Sequence, residues 1–319
     1  MPRVLRSVAL AAALALVPLA PAHADSPVSV AHVLPGEKVY PEGIALDGRT
    51  GDLYAGSYND GTVFKMTPGR RVAEIFLPSG TDGRRTANGL KVDAAGRLWV
   101  TDSTTGVSVY ETRSKRLLAR FDVPGTAGRF VNDLAIAPDG TAYLTDSVRA
   151  VIYKVTRKEV AKGGRAALTP WLDLKPVLEP HKPDAFTLNG IVADPSGRFL
   201  ITADMTGGDL YRVDVATGAI HKIALRGGDA AMADGLEVAN GRLWIVHNVD
   251  DRISRWRLSR DGRSARVVRQ VTDEALQLPT TLVRRNGVLY VVRSQFDKGG
   301  PMGPGTPEIP FTIAAVRGI

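Results

Sequence analysis

The sequence contains no cysteine, so no disulfide can staple the fold and no thiolate is available as nucleophile or metal ligand. Stability must come from packing and strand pairing alone. Histidine is scarce, with five in 319 residues, and no His-Glu-x-x-His or other histidine cluster exists for a zinc hydrolase. A Gly-x-Ser-x-Gly elbow is also missing, which argues against a serine hydrolase. No Gly-rich loop opens a helix to cradle phosphate, and the pattern holds hardly any helix at all. Beyond residue 24 no stretch is apolar for long enough to cross a bilayer. The densest basic run, residues 252–269, lacks the stacking aromatics and partner motif that a nucleic-acid site needs. It alternates as a strand does, with Ile253, Arg255 and Arg257 facing one way and Ser254, Trp256 and Leu258 the other. A solvated outer strand is the simpler reading, and no nucleic-acid partner is expected.

Hydrophobic residues make up 44% of the chain, with 33 glycines and 20 prolines. That composition is globular and suits many short strands joined by turns. Residues 1–24 stand apart. Arg3 and Arg6 give a basic start, residues 8–20 are apolar, and Ala22-His23-Ala24 is a small-x-small cleavage site. This is the pattern of a secretory signal peptide. The expected product is exported and extracellular, a single domain over residues 25–319 with no membrane insertion after cleavage. Removal of Arg3 and Arg6 takes the net charge from +8 to +6, which bears on solubility and weak attraction to acidic polymers rather than on fold.

The informative feature is a repeat. Pro41-Glu42-Gly43 precedes the apolar run Ile44-Ala45-Leu46, and Asn88-Gly89, Asn132-Asp133, Asn189-Gly190, Asp234-Gly235 and Thr280-Thr281 return at the same phase. Spacings between them are 46, 44, 57, 45 and 46 residues. Each copy continues with a Gly-containing turn, a second strand ending near Thr-Asp or its equivalent, a third strand, and a looser fourth. A four-stranded unit repeating every ~45 residues is the signature of a propeller blade. The expected fold is therefore all-β: a six-bladed β-propeller with four-stranded blades starting near residues 41, 87, 131, 188, 233 and 279. The sixth unit has two strands of its own and residues 311–316 as a third. Residues 28–34, spare at the mature N-terminus, supply the fourth and close the ring. The longer interval falls in residues 156–188, expected as a rim or lid over the mouth.

In a propeller the first strand of each blade lines the central channel, so Glu42, Asn88, Asn132, Asn189, Asp234 and Thr280 point at one axis. All six carry oxygen donors. Hard, mixed carboxylate and amide ligands select Ca2+, with Mg2+ or Mn2+ as substitutes, over Zn2+. Turn chemistry alone also uses Asn-Gly and Asp-Gly, but does not require an oxygen at one offset six times.

The Glu-Gly opening, the asparagines of blades three and four and the Asp-Gly of blade five resemble the SMP-30/gluconolactonase/luciferin-regenerating-enzyme-like family of six-bladed propellers, across essentially the whole mature chain. The resemblance implies a central divalent metal, calcium before magnesium, manganese or zinc, on Glu42, Asn132, Asn189 and Asp234. It further implies a metal-dependent lactone or ester hydrolase in which Asp234 activates the attacking water. Asn88, Arg129, Asp133 and, from the long loop, His181 are the expected substrate contacts. His32, His221 and His247 are expected to be structural. The protein is expected to act as a monomer on a small-molecule substrate. Alternatives are an exported binding or sensing propeller with a structural metal, a phosphotriesterase-like enzyme, and a strictosidine-synthase-like enzyme.

Overall fold

The computed structural model describes residues 27–182 and 184–319; the expected signal peptide lies outside them. Period-two alternation makes the first unit a meander. Pro41–Leu46, Leu53–Ser57, Val63–Met66 and Glu74–Leu77 pair antiparallel in sequence order. Five more sheets repeat it. Their innermost strands are Leu90–Val92, Val131–Ile136, Leu188–Ala193, Ala233–Ala239 and Pro279–Arg285. Val28–Leu34 pairs with Phe311–Val316, so the N-terminal strand completes blade six. The fold is the six-bladed propeller that the repeat implies.

Turn chemistry sets the register. Asn240 and Gly241 have φ of 51° and 68°, and Asn286 and Gly287 have 51° and 82°. Two consecutive positive φ values are what a two-residue hairpin matching strand twist demands. Because side chains alternate, each blade buries both faces against its neighbours. Ala45, Tyr54 and Phe76 of blade one meet Leu98 and Tyr110 of blade two in one cluster. Trp244, Val246 and Ile253 of blade five meet Leu282 and Leu289 of blade six in another. A fully buried side chain of this kind is worth about 1.5–3 kcal/mol. Six such clusters explain how the fold dispenses with disulfides.

Two expectations need correction. Five of the six pairs do not precede their inner strand but lie inside it, at irregularities of pairing, whereas Asn88-Gly89 does precede its strand, Leu90–Val92. Pairing shifts register between Pro41 and Ile44, Val131 and Leu134, Leu188 and Ile191, Ala233 and Leu236, and Pro279 and Leu282. These are β-bulges, in which an extra residue re-aims side chains. The glycine that follows is a packing requirement. A Cβ on Gly43 would sit 1.8 Å from the Asn88 carbonyl oxygen, and one on Gly190 would sit 2.2 Å from that of Asp234. Neighbouring blades therefore touch around the channel at these glycines.

The second correction concerns residues 156–188, only part of which reaches the mouth. Thr156 caps the short helix Arg157–Lys162 through a capping box with Glu159. Gly164–Ala167 then adds a fifth strand, parallel to Leu117–Asp122 of blade two. Thr169–Asp173 is the fourth strand of blade three. The segment thus contributes a helix and two strands to the blades, and Phe186 near its end lines the cavity over the ring.

Candidate metal centre and mouth

Three of the ring residues are fixed through their backbone carbonyls. Thr101 Oγ1 donates to the Asn132 carbonyl at 2.6 Å, Thr145 Oγ1 to that of Asn189 at 2.8 Å, and Thr280 Oγ1 to that of Glu42 at 2.7 Å. Thr280 is thus a strut joining blade six to blade one.

A cavity of about 430 Å³ opens over the ring. Glu42, Asn132, Asn189 and Asn248 contribute its polar lining, while Tyr58, Phe130, Phe186, Met205, Met232, Phe296 and Met302 give it apolar walls. The aromatic rings pack on one another: Phe130 meets Phe186 edge-on at 4.7 Å, and Tyr58 meets Phe296 at 5.3 Å. In the floor, the residue after the second strand contacts the ring side chain of its own blade in blades three, four and five. Asn132 Nδ2 donates to Ser147 Oγ at 3.0 Å, and Asn248 Nδ2 donates to Asp234 Oδ2 at 3.0 Å. Asn189 Nδ2 lies 3.3 Å from Met205 Sδ. Asn132 Oδ1 is left buried with no partner.

Glu42 and Asp234 are 8% and 6% exposed, and among the described residues no basic side chain is ion-paired with either. Burial, then the Asp234 and Asp133 charges, push the Glu42 carboxyl well above its usual range. Burial pushes Asp234 up to about 8, aided by Asp133 and opposed by the hydrogen bonds from Asn248 and Asn189. Two buried carboxyls held near neutral are what desolvation without a counter-charge produces. A dication is one such counter-charge. Two carboxylates, an unpartnered amide oxygen and a second amide form a hard-oxygen donor set of the right charge. The residues present fit a divalent ion. Among the described residues no group of three His, Cys, Asp or Glu side chains gathers as a metal site, so any such ion depends on the amides.

The expected substrate contacts disperse. Asn88 is fully buried with neither amide atom partnered, and it does not line the mouth. Asp133 accepts from the Leu134 and Ile191 amides within the wall of inner strands. Arg129 does not line the mouth either; its guanidinium turns back to the Gly125 carbonyl, and the neighbouring Phe130 takes the wall position. His181 Nε2 lies 2.9 Å from Asp204 Oδ2 and faces a separate cavity with Lys175, Glu179 and Thr187. His32, His221 and His247 lie in the strands Val28–Leu34, Ile220–Lys222 and Arg242–His247, and His247 is held between the Ala231 carbonyl and Ser254. Sequence reasoning missed Asn248. It occupies the same repeat phase as Ser147 and Met205, so a second alignment on strand ends would have exposed it. The apolar walls carry no such signal, because they come from loops of unequal length.

No protein-family model matches this chain, and no curated protein matches it in sequence. Solved structures do resemble it. A gluconolactonase of Xanthomonas campestris superposes with a TM-score of 0.61 at 16% identity, covering 91% of this chain and 89% of that one. The major allergen Mala s 1 of Malassezia sympodialis gives 0.61 at 17%, covering 91% and 96%. A virginiamycin B lyase of Staphylococcus aureus gives 0.56 at 11%, covering 92% and 99%. At these identities the likeness is one of fold.

Proposed function

We propose that the protein is an exported, divalent-metal-dependent lactone or ester hydrolase, with calcium the favoured ion. The observation that carries the proposal is the pair of buried, uncompensated carboxyls at the channel floor, Glu42 and Asp234, beneath an open apolar mouth. The gluconolactonase likeness agrees with the reading but supplies only a fold. Glu42, Asn132, Asn189 and Asp234 would hold the ion. When bound, it would supply charge that keeps both carboxyls ionised and polarises the substrate carbonyl.

The chain's own groups do the rest. Asp234, whose carboxylate takes hydrogen bonds from Asn248 and Asn189, would accept a proton from water as that water attacks the carbonyl carbon. The acyl C–O bond then breaks, and the leaving alkoxide takes the proton held by Asp234, which restores the carboxylate. Burial and the Glu42 charge raise the Tyr58 phenol, which keeps it a hydrogen-bond donor at the mouth wall. The walls offer few hydroxyl partners, and an unpaired buried hydroxyl is costly. They therefore favour substrates with an aromatic or aliphatic flank over polyhydroxylated ones.

The test is a panel of aldonolactones, alkyl lactones and aryl esters with and without chelator. Turnover should need the metal and should fall about 10²–10⁴-fold in Asp234→Ala. Chelator-insensitive turnover would refute the proposal. The second reading, a non-catalytic binding propeller, draws on the same apolar mouth. Ligand uptake without turnover by any panel member would favour it.

A further inference from the structure

Away from the channel, the outer part of blade five carries an arrangement that the proposed hydrolase does not use. Strand pairing brings four arginines into one row: Arg242 opposite Arg257, Arg257 opposite Arg266, and Arg266 opposite Arg226. Directly paired residues share a face of the sheet. One step along the same face, Arg255 pairs with Arg269. Arg226, Arg242, Arg257 and Arg266 are exposed. None of these six arginines has a carboxylate within ion-pair distance among the described residues, whereas Arg49, Arg97, Arg120, Arg149, Arg165, Arg198, Arg212 and Arg252 all do. Arg255 Nε is buried without a hydrogen-bond partner.

Like charges directly opposite one another destabilise a sheet, so the row stores repulsion that an anion would relieve. The geometry of the row limits which anion. Strands lie about 4.8 Å apart, so four guanidinium groups span roughly 14 Å, more than one phosphate can bridge. Every position is arginine and none is lysine, which suits the two-pronged recognition of phosphate oxygens. Single-stranded nucleic acid needs stacking platforms, and the one aromatic among the exposed large hydrophobic residues, Phe186, is at the mouth. A membrane surface calls for apolar anchors, and beside the row only Val268 is exposed.

We infer that the arginine row on the outer strands of blade five binds a flexible linear polymer carrying a phosphate on each repeat. Polymer binding there is independent of the channel and of any metal in it.

Inorganic polyphosphate is the probe, titrated against the full chain over a range of salt. The expected binding falls with salt with a log–log slope of roughly 3, the yield of four phosphate contacts on a single strand. Arg257→Gln with Arg266→Gln should lower that slope by about half and weaken binding at least about tenfold at low salt. The exposed Arg113 and Arg116, changed together to glutamine, remove the same charge elsewhere and should leave binding nearly intact. Equal losses in the two double variants would reduce the effect to net charge and overturn the inference. So would competition by monomeric phosphate at matched phosphate concentration. Tighter binding of anionic vesicles, or of an oligonucleotide of equal phosphate count, than of polyphosphate would overturn it in favour of a membrane or a nucleic acid.

Discussion

The channel floor and the flank of blade five each gather charges of one sign, and they do so under opposite conditions. In the floor, Glu42 and Asp234 are buried, their carboxyls pushed upward by desolvation, with the Asp133 charge adding to both and the Asp234 charge to Glu42. On the flank, Arg226, Arg242, Arg257 and Arg266 stand in water. Two unit charges at 4 Å interact by about 1 kcal/mol in water and about 4 kcal/mol at an effective dielectric of 20. Buried like charges must therefore change state, by taking protons or a cation. Exposed ones tolerate repulsion until a polyanion arrives. Removing a charge should have a large effect in the first region and a small one in the second.

The largest effect is expected from Glu42→Gln. The side chain keeps its shape but loses a formal charge from the donor set, and Ca2+ affinity should fall roughly 100-fold, as charge count governs hard-cation sites. Calorimetric titration measures it, with circular dichroism checking that the propeller remains folded. An unchanged affinity in a folded variant would reduce the bulge at Glu42-Gly43 to a packing device.

A smaller effect concerns pH in chelated protein. Asp234 has a folded-state pKa of about 8, against about 3.9 for an unperturbed aspartate. Raised in the folded state, it favours folding while protonated. That contribution is intact below about pH 4 and is lost as pH climbs toward 8. Chelated protein should lose thermal stability across this window, Asp234→Asn should flatten the profile, and saturating Ca2+ should restore the wild type at the upper end. A metal-free wild type with a flat profile would show that the floor finds its counter-charge elsewhere.

How much of this was legible beforehand differs between the regions for a physical reason. The blades and the closing strand were readable because an intact repeat fixes phase, and phase fixes which strand of each unit is innermost. The bulge at Glu42-Gly43 was not, since Gly before a strand looks the same as Gly inside an irregular one. Asp133 was misjudged for the same cause. Its position in the bulge turns the carboxylate to the Leu134 and Ile191 amides, and the residue type alone cannot show that. Arg129 fell one residue short of Phe130, because strand alternation decides which of the two lines the mouth. The alternation of Arg255 and Arg257 was visible in the sequence. The alignment of Arg257 with Arg242 and Arg266, and of Arg266 with Arg226, was not, because lateral register between strands is set by turns and by the irregularity between Arg255 and Trp256.

The smallest effect sharpens the contrast most. Arg257→Gln removes one of four charges in an exposed row, where Arg257 has no ion pair to lose. Relief of repulsion and loss of side-chain packing on the sheet oppose each other, and surface changes of this kind fall within about 0.5 kcal/mol. The sign should be slightly stabilising in low salt, where repulsion is unscreened, and should vanish near 1 M salt, where the screening length is about 3 Å. Denaturant unfolding at both salts measures it. A substantial destabilisation at either salt would mean that Arg257 is bound into the fold as tightly as Glu42 is into the ring, and that blade five's flank is a structural element rather than an open surface.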